Sequence, residues 1–358
     1  MTMVAGTRID PVTVVIPTYN LDAYLQDAIE SVLMQQYDGP LSIIVLDDGS
    51  TDQSLAVANQ MAEKVTNLKV VTQTNQGRAK TRNRMLELSE TDLVAWLDGD
   101  DLAAPCWLVD QIGYLRSHPE CVAVGGQGYS MTATGKAIGP ITHPLDSDEI
   151  DQRHLSGEAN AFFQSCVLVR KSAVLRAGGY DERYPCAEDY SLWLRLAEIG
   201  KLANLPACHL CYRVHATSAN WTLNIDQRTQ GHAIQQEALK RRGLPRDGTV
   251  MDEIPPVKKD DWNRRLFWIN IALRSGNPVS ALQMLGPALK KHPVSLILWL
   301  AALVSVADAI LFLGNRTAKF APGNSLQVRS LPGLSFYRIG RGLVRARRRW
   351  RGGADAKQ

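Results

Sequence analysis

The sequence predicts an α/β fold in which a mostly parallel sheet is covered by helices on both faces and is followed by an α-helical C-terminal extension. Three observations support this prediction. Short apolar runs of strand length alternate with stretches of helical period through the N-terminal third of the chain. The first run, residues 12–16, is continuous and β-branched, which is typical of a strand buried on both faces. With 358 residues, 45% of them hydrophobic, the chain can bury a large core, which excludes disordered and fibrous proteins.

Each early element follows from its local pattern. After the first strand, Pro17-Thr18-Tyr19-Asn20 interrupts the chain, and the apolar residues between 24 and 33 then recur at helical spacing. Ser50 and Gln53 have the spacing of a capping box, which predicts the start of a second helix. Further strands are predicted over residues 41–46, 68–72 and 93–97, and a further helix over residues 78–88.

The remainder of the chain is patterned differently. Residues 120–185 contain glycine pairs such as Gly125-Gly126, which predict short, interrupted strands. A helix is predicted to begin at Glu188-Asp189, and a last strand covers residues 205–214. From Trp262 onward, two amphipathic stretches joined by a turn predict a helical hairpin. We therefore expect an α/β domain (1–225), a helical linker (226–260), a hairpin with a hydrophobic helix (261–315) and a basic tail (316–358).

The net charge of +4 conceals two regions of opposite sign. Residues 316–358 contain eleven Lys or Arg and a single acid, whereas the preceding 315 residues contain 29 basic and 35 acidic side chains. Just before the tail, residues 294–313 are long and apolar enough to span a bilayer, although Asp308 within them opposes insertion. We expect residues 294–358 to contact an anionic membrane surface. A buried helix with a solvated tail is the alternative, and nucleic acid is a less favoured partner.

The cysteines and the first residues bear on the compartment. The six cysteines are scattered, and residues 1–11 lack the apolar segment of a secretory signal. Both features favour the cytoplasm, and with the basic tail they predict a peripheral protein at the inner face of the cell membrane. Cys208 and Cys211 form a C-x-x-C pair around His209, a pattern found in zinc and redox sites. Buried structural cysteines are favoured, because no second pair follows and residues three apart on a strand face opposite sides.

Polar clusters follow three of the predicted strands. They are Pro17-Thr18-Tyr19-Asn20, Asp47-Asp48 and Asp98-Gly99-Asp100. Ligands of parallel sheets bind at the carboxyl ends of the strands, so we expect the three clusters to meet in one site. The absence of G-x-G-x-x-G after the first strand and of a Walker motif argues against dinucleotide and P-loop sites. Two carboxylates two residues apart suit a divalent cation that bridges phosphate oxygens.

Six motifs occur in a recognisable order. They are Val14-Val15-Ile16-Pro17-Thr18-Tyr19-Asn20, Asp47-Asp48-Gly49-Ser50-Thr51-Asp52, Asn75-Gln76-Gly77 with Arg82-Asn83, Asp98-Gly99-Asp100-Asp101, Glu188-Asp189-Tyr190-Ser191-Leu192-Trp193 and Tyr212-Arg213-Val214-His215. In these motifs the chain resembles family 2 glycosyltransferases of the GT-A fold, over about residues 11–220. The resemblance implies transfer of a sugar from a nucleotide donor with inversion, using manganese or magnesium.

The resemblance also implies a role for each motif. Nine residues are expected to hold the nucleotide sugar: Pro17, Thr18, Tyr19, Asn20, Asp47, Asp48, Arg82, Asp98 and Arg213. A metal is expected at Asp100, with Asp98 and His215 beside it. Asp189, together with its neighbour Glu188, is expected to deprotonate the acceptor hydroxyl, since a single in-line displacement needs one base. Plainer interpretations are an ion pair for Arg82, a structural His215, and a helix N-terminal Asp189 favoured by the dipole.

The predicted function is therefore an inverting glycosyltransferase in polysaccharide or cell-envelope biosynthesis. We expect a UDP-sugar as donor and a glycan or lipid-linked molecule as acceptor. The QxxRW pattern of processive synthases is absent, since Trp193 is followed by Leu194-Arg195-Leu196, which favours transfer of single sugars. One alternative is a nucleotidyltransferase, which would have a glycine-rich basic loop after the first strand. The other is a non-catalytic membrane- or protein-binding module, against which the retention of the motif carboxylates argues.

Overall fold

The computed structural model describes residues 10–157, 161–215 and 224–245, together with residues 268, 269, 281 and 285. The first three ranges contain nine strands and eight helices. The strands are β1 Val12–Thr18, β2 Leu41–Asp47, β3 Leu68–Thr72, β4 Leu93–Trp96, β5 Leu102–Ala103, β6 Cys121–Thr132, β7 Ala137–Ile141, β8 Val167–Arg170 and β9 Lys201–Val214. The helices are α1 Leu25–Leu33, α2 Ser54–Ala62, α3 Arg78–Leu88, α4 Trp107–Ser117, α5 Ser147–Ser156, α6 Lys171–Arg176, α7 Glu188–Leu196 and α8 Asn224–Arg241.

The strands form one sheet of order β3-β2-β1-β4-β8-β6-β9-β5, with β7 paired to β6. Strands β1 to β4 are parallel, and β1 lies between β2 and β4, so the carboxyl ends of these three are adjacent. Strand β8 runs antiparallel to both β4 and β6, whereas β6 and β9 are parallel. The predicted α/β fold is confirmed, and antiparallel pairs complete the sheet beyond its parallel half.

Helices cover both faces of the sheet, as the continuous apolar pattern of β1 predicts. Neighbouring residues of β1 lie in different cores: Val14 packs in the core that contains Trp107 of α4, and Val15 in the core that contains Trp193 of α7. All four side chains are 0% exposed. Trp193 is therefore part of the core and is not a sugar-stacking side chain. Packing on both faces holds the strands rigidly and fixes the positions of the loops at their ends.

Strand β6 contradicts the prediction of short, interrupted strands. It is continuous over 12 residues, and its glycines make room for β9 rather than breaking the strand. A Cβ at Gly125 would lie 2.5 Å from Asn204 Oδ1, and a Cβ at Gly126 would overlap the His209 imidazole. The pairing register shifts between Gln127 and the next residue, which leaves His209 of β9 without a partner across the ladder. This β-bulge directs a histidine into the interior.

The predicted capping box at Ser50 and Gln53 is wrong, because α2 begins at Ser54. The Ser54 N–H donates to Asp52 Oδ1 (2.9 Å), so the Asp52 carboxylate is the hydrogen-bond acceptor for the first N–H of α2. Ser50 Oγ instead accepts a hydrogen bond from the Asn20 N–H (2.9 Å). The serine thus connects the loop after β2 to the loop after β1.

Most of the C-terminal predictions lie outside the described residues. This holds for the hydrophobic segment 294–313, the basic tail 316–358 and most of the hairpin. Ile269 and Leu285, each placed by the sequence pattern on the apolar face of a hairpin helix, are helical and buried. Within the described part of the chain, no helix has the combination of length and apolar character that crossing a bilayer requires.

Candidate active site

Two polar segments are joined where β1 and β2 end. The Asp48 N–H donates to the carbonyl of Thr18, the last residue of β1 (2.8 Å). Asn20 has a left-handed backbone, with φ 55°, and its Oδ1 accepts a hydrogen bond from the Thr51 N–H (2.8 Å). Tyr19 is 48% exposed between these anchors. The segment predicted to hold the nucleotide is therefore a braced turn that presents a tyrosine ring to solvent.

Asp47 and Asp48 are both buried and hydrogen-bonded. Asp47 Oδ2 accepts a hydrogen bond from the Thr72 hydroxyl (3.0 Å) at the end of β3. Asp48 Oδ1 accepts one from the Gln76 N–H (2.9 Å), and Asp48 Oδ2 accepts one from the Gly77 N–H (3.0 Å). Asp47 thus connects the ends of β2 and β3. Asp48 orders the third motif at the start of α3.

Asp98 and Asp100 flank Gly99 just after β4. A Cβ at Gly99 would lie 3.1 Å from Thr18 Oγ1 and 3.3 Å from Pro17 O, so glycine lets this turn lie against the end of β1. The Asp98 and Asp100 side chains are 33% and 19% exposed. All three predicted clusters therefore meet at one edge of the sheet, with both carboxylates accessible from solvent.

The end of β9 holds this turn from the other side. His215 Nε2 lies 2.8 Å from Asp100 Oδ2, and the His215 side chain is 4% exposed. Arg213 Nε donates to the Asp100 carbonyl (2.8 Å), and the Arg213 N–H donates to Asp101 Oδ1 (2.8 Å). His215 thus lies next to the carboxylate predicted to bind metal. The Arg213 guanidinium, predicted to contact the nucleotide sugar, is used in this structure to hold the turn.

The electrostatics of this turn suit a cation. Burial raises the pKa of Asp98, although Arg82 lowers it, and the nearby Asp100 raises it again. Burial also raises the pKa of Asp101 well above its usual range, with repulsion from Asp100 adding to the effect. Carboxylate oxygens are the ligands that Mg²⁺ and Mn²⁺ prefer. The residues present therefore fit a divalent cation held by Asp100, with Asp98 and His215 beside it.

Arg82 links this turn to helix α7. Its side chain is 6% exposed; Nη1 pairs with Glu188 Oε1, and Nη2 pairs with Asp98 Oδ1 at 3.2 Å. Arg78 Nη2 lies 3.3 Å from Glu188 Oε2. The ion-pair interpretation of Arg82 is therefore correct. Glu188, which was predicted to be catalytic beside the base, is buried and faces these arginines. The Arg82 side chain therefore bridges the N-terminus of α7 and Asp98.

Asp189, the second residue of α7, has a different environment. Its side chain is partly exposed, and among the described residues its carboxylate accepts one hydrogen bond, from the Tyr190 N–H to Oδ1 (2.8 Å). The backbone contact expected at a helix N-terminus is thus present. This hydrogen bond occupies one carboxylate oxygen, Oδ1.

Two residues near the site were not predicted. Tyr24, which the sequence pattern placed among the apolar residues of α1, has its ring against Arg213 and His215. Ser165 Oγ accepts a hydrogen bond from the Asp98 N–H (3.1 Å), across 67 residues of sequence. An aromatic residue at a helix start was the one signal for Tyr24, and no local pattern marks Ser165.

All six cysteines are free, and Cys211 of the C-x-x-C pair is buried. A different group brings potential metal ligands together: Cys106, Asp110 and His209 have ligand atoms within 4.8 Å of one another. This group joins the start of α4 to the bulge of β9. Its hydrogen bonds decide whether a metal is compatible with it.

The orientation of the Gln111 amide fixes the His209 tautomer. Trp107 Nε1–H donates to Gln111 Oε1 (2.9 Å), and Gln111 Nε2 donates to the Cys166 carbonyl (2.9 Å). Gln111 Nε2 therefore also donates to His209 Nδ1 (3.1 Å), and the ring proton lies on Nε2, facing Asp110 Oδ2 (3.1 Å). A metal at Nε2 would require a proton on Nδ1, opposite an amide that already donates there. The group is thus a hydrogen-bonded network between α4 and β9.

Comparisons with known proteins agree with this geometry. The family model described as Glycosyl transferase family 2 matches residues 13–176, and the one described as Glycosyltransferase like family 2 matches residues 156–228. The amylovoran biosynthesis glycosyltransferase AmsE of Erwinia amylovora is 32% identical over 260 residues, which are 69% of this chain and 95% of the relative.

Two solved structures have a similar fold. The mannosyltransferase PcManGT of Pyrobaculum calidifontis, in complex with GDP-Man and Mn²⁺, aligns with TM-score 0.50 at 21% identity and covers 86% of this chain and 81% of its own. Residues 1–349 of S. aureus TarS, in complex with UDP-GlcNAc, align with TM-score 0.50 at 17% identity. The alignment covers 87% of this chain and 94% of the TarS chain. The family matches do not support the nucleotidyltransferase and binding-module alternatives. The chain belongs to glycosyltransferase family 2, and its fold is GT-A.

Proposed function

We propose that this glycosyltransferase moves single sugars from a nucleotide-diphosphate sugar to an acceptor hydroxyl, with inversion and with a divalent cation. One observation carries the proposal: Arg82 contacts both Asp98 of the carboxylate turn and Glu188 at the start of α7. This contact supports a site in which the proposed cation ligands and the partly exposed Asp189 act on the same substrate. An inverting displacement needs a cationic group on the leaving diphosphate and one base at the acceptor.

Asp100 would hold the cation, manganese or magnesium, with Asp98 and His215 beside it. When bound, the cation would neutralise charge that develops on the leaving diphosphate. Residues of the chain fix the positions of these carboxylates. Arg213 donates to the Asp100 carbonyl, His215 contacts the Asp100 carboxylate, and Ser165 accepts a hydrogen bond from the Asp98 N–H. These ligands are therefore preorganised, and little reorganisation is needed when substrate binds.

Asp189 is the proposed base, and Glu188 is a residue that positions it. Glu188 is 0% exposed and paired with two arginines, so its carboxylate is not available to an acceptor. Asp189 is partly exposed and keeps one oxygen for the acceptor hydroxyl. The arginine pairs of Glu188 anchor the first turn of α7 and so hold its neighbour in place.

The donor is proposed to be a UDP-sugar, bound through the turn that presents Tyr19. The two similar structures were solved with GDP-Man and UDP-GlcNAc, and both ligands are nucleotide-diphosphate sugars. The exposed ring of Tyr19 offers a flat surface to a base, and Asp48 orders the adjacent loop through the Gln76 and Gly77 N–H groups. A thermal-shift series over UDP- and GDP-sugars measures the preference. Stabilisation by GDP-sugars alone would contradict the UDP proposal.

The acceptor is proposed to be a glycan or a lipid-linked molecule of polysaccharide biosynthesis, reached at the inner membrane surface. The role of AmsE in amylovoran biosynthesis supports the first part, and the basic residues of 316–358 support the second. Flotation of the full chain and of a chain ending at residue 293 with anionic and neutral vesicles tests the membrane contact. Equal flotation of the two proteins with anionic vesicles would refute it.

Hydrolysis of the nucleotide sugar, with and without Mn²⁺, tests the catalytic roles without an acceptor. We expect Asp100→Ala to lose stimulation by Mn²⁺, and Asp189→Asn to lose about 10²- to 10⁴-fold in rate while still binding nucleotide. Asp38→Asn, an exposed aspartate before β2, is the matched control and should behave as wild type. Full activity of Asp189→Asn would reassign the base, and wild-type activity independent of added and trace metal would exclude the cation.

A further inference from the structure

A tyrosine outside the motif residues lies against His215, one of the proposed cation ligands, and against Arg213. Tyr24 is the residue before α1, and its ring faces the end of β9. We propose that Tyr24 is a positioning residue that fixes His215 and Arg213, and through them Asp100, in the geometry that binds the divalent cation. This inference rests on the proposed cation role of Asp100 and His215.

The Tyr24 ring contacts both groups directly. The Arg213 guanidinium carbon lies 4.9 Å from the ring centroid, within the range of a cation–π contact. The His215 ring centroid lies 4.8 Å away, at an interplanar angle of 45°. The Arg213 and His215 side chains are 3% and 4% exposed, so these contacts are shielded from water. One aromatic ring therefore supports two side chains at once.

Both supported side chains act on the same residue. His215 Nε2 lies 2.8 Å from the Asp100 carboxylate, and Arg213 Nε donates to the Asp100 carbonyl at 2.8 Å. Arg213 is further held by the Ala133 carbonyl at Nη1 (3.0 Å) and by Asp27 of α1 at Nη2 (3.3 Å). His215 directly follows Val214, the last residue of β9. The ring of Tyr24 therefore contacts both of the side chains that reach Asp100 from the end of β9.

The contact uses the face of the ring rather than the hydroxyl. Within the described residues, the Tyr24 hydroxyl makes no hydrogen bond, whereas the ring makes both contacts above. Phenylalanine keeps the ring and removes only the hydroxyl. Leucine removes the aromatic surface and keeps an apolar side chain. The two substitutions therefore separate a positioning ring from general packing.

Binding of Mn²⁺ tests the inference without measuring activity. Free Mn²⁺ is followed by electron paramagnetic resonance while full-length protein is titrated in the presence of UDP or GDP. We expect Tyr24→Phe to stay within about twofold of wild type and Tyr24→Leu to bind about tenfold more weakly, the usual loss when a group that orients a ligand is removed. Tyr24→Met repeats the test if the leucine variant does not fold.

Tyr114→Leu is the matched control, since Tyr114 of α4 also stacks on a histidine, His118, at a centroid distance of 3.9 Å. It should leave Mn²⁺ binding unchanged. Wild-type affinity in folded Tyr24→Leu, or equal loss in Tyr24→Phe and Tyr24→Leu, would overturn the positioning role. Absence of Mn²⁺ binding by wild type with both nucleotides would instead refute the proposed function on which the inference rests.

Discussion

Replacing Arg82 with methionine removes the guanidinium group that pairs with Glu188 and Asp98. The Glu188 side chain is 1% exposed and pairs with Arg82 Nη1, and the Asp98 side chain is 33% exposed and pairs with Nη2 at 3.2 Å. Methionine keeps most of the apolar stem and deletes only the guanidinium. The main consequence is a buried carboxylate without its principal partner, which we expect to destabilise the fold.

The expected loss of stability in Arg82→Met follows from the burial of the Arg82–Glu188 ion pair. Removing one partner of a buried ion pair costs about 3 to 5 kcal/mol. Arg78 remains 3.3 Å from Glu188 but is 33% exposed, so we expect the lower end of that range, about 3 kcal/mol. For a domain of this size, 1 kcal/mol corresponds to about 2 to 4 °C, so the melting temperature should fall by roughly 6 to 12 °C.

The double variant Arg82→Met/Glu188→Met distinguishes an unpaired charge from lost packing. It removes both charges, and replacing a buried pair with apolar side chains is often neutral. We therefore expect it to be more stable than Arg82→Met alone, with a coupling of about 2 kcal/mol in urea unfolding. Strictly additive losses in this cycle would refute the assignment of a buried ion pair.

The pH dependence of the stability of Arg82→Met gives an independent check. Burial raises the pKa of Glu188, and Arg82 and Arg78 oppose that rise. Without Arg82 the folded protein binds this proton still more tightly than the unfolded chain does, so stability is regained as the pH falls. The deficit of Arg82→Met should thus be smaller at pH 5.5 than at pH 7.5, and a deficit that does not change with pH would contradict this reasoning.

Two further predictions concern the region around His209. Gly126→Ala should destabilise the protein by about 1 to 3 kcal/mol in urea unfolding, because the added Cβ overlaps the His209 ring. Gly113→Ala in α4, where the Cβ meets nothing within 4 Å, should instead be neutral or stabilising, and equal losses would refute the packing argument. Burial, together with Asp110, raises the pKa of Cys106 to about 11, so its alkylation at pH 8 should be roughly a hundredfold slower than that of an ordinary thiol. Mass spectrometry measures this rate, which should increase in Asp110→Asn; fast labelling of wild type would contradict the assigned environment.

Local patterns were enough to predict the parallel half of the fold. The strands β1 to β4 and the clusters that follow them are encoded within a few residues each, and the carboxyl ends of parallel strands always share one edge. The second half depends on contacts between distant segments. Gly125 and Gly126 resemble breaks in the sequence, yet they are spacers for Asn204 and His209 of a strand about 80 residues later.

The site divides in the same way. The convergence of the carboxylates after β2 and β4 at one edge of the sheet was predictable, because both clusters directly follow parallel strands. The environment of each carboxylate was not predictable, because it depends on which residues its side chain contacts in the folded protein. Glu188 and Asp189 are adjacent in sequence, yet one is buried on Arg82 and the other is partly exposed with a single backbone bond.

The two arginines of the site have partners within its acidic cluster. Arg82 and Arg213 were both predicted to contact the nucleotide sugar, and both are buried among internal acceptors. Each neutralises part of the acidic cluster from the protein side, which reduces the repulsion that folding must overcome. Asp98 and Asp100 remain partly exposed, although Arg82 pairs with Asp98 and His215 Nε2 lies 2.8 Å from Asp100. Under the proposed function, a divalent cation that binds with the donor would add positive charge there, so we expect binding of the cation and of the diphosphate to reinforce each other.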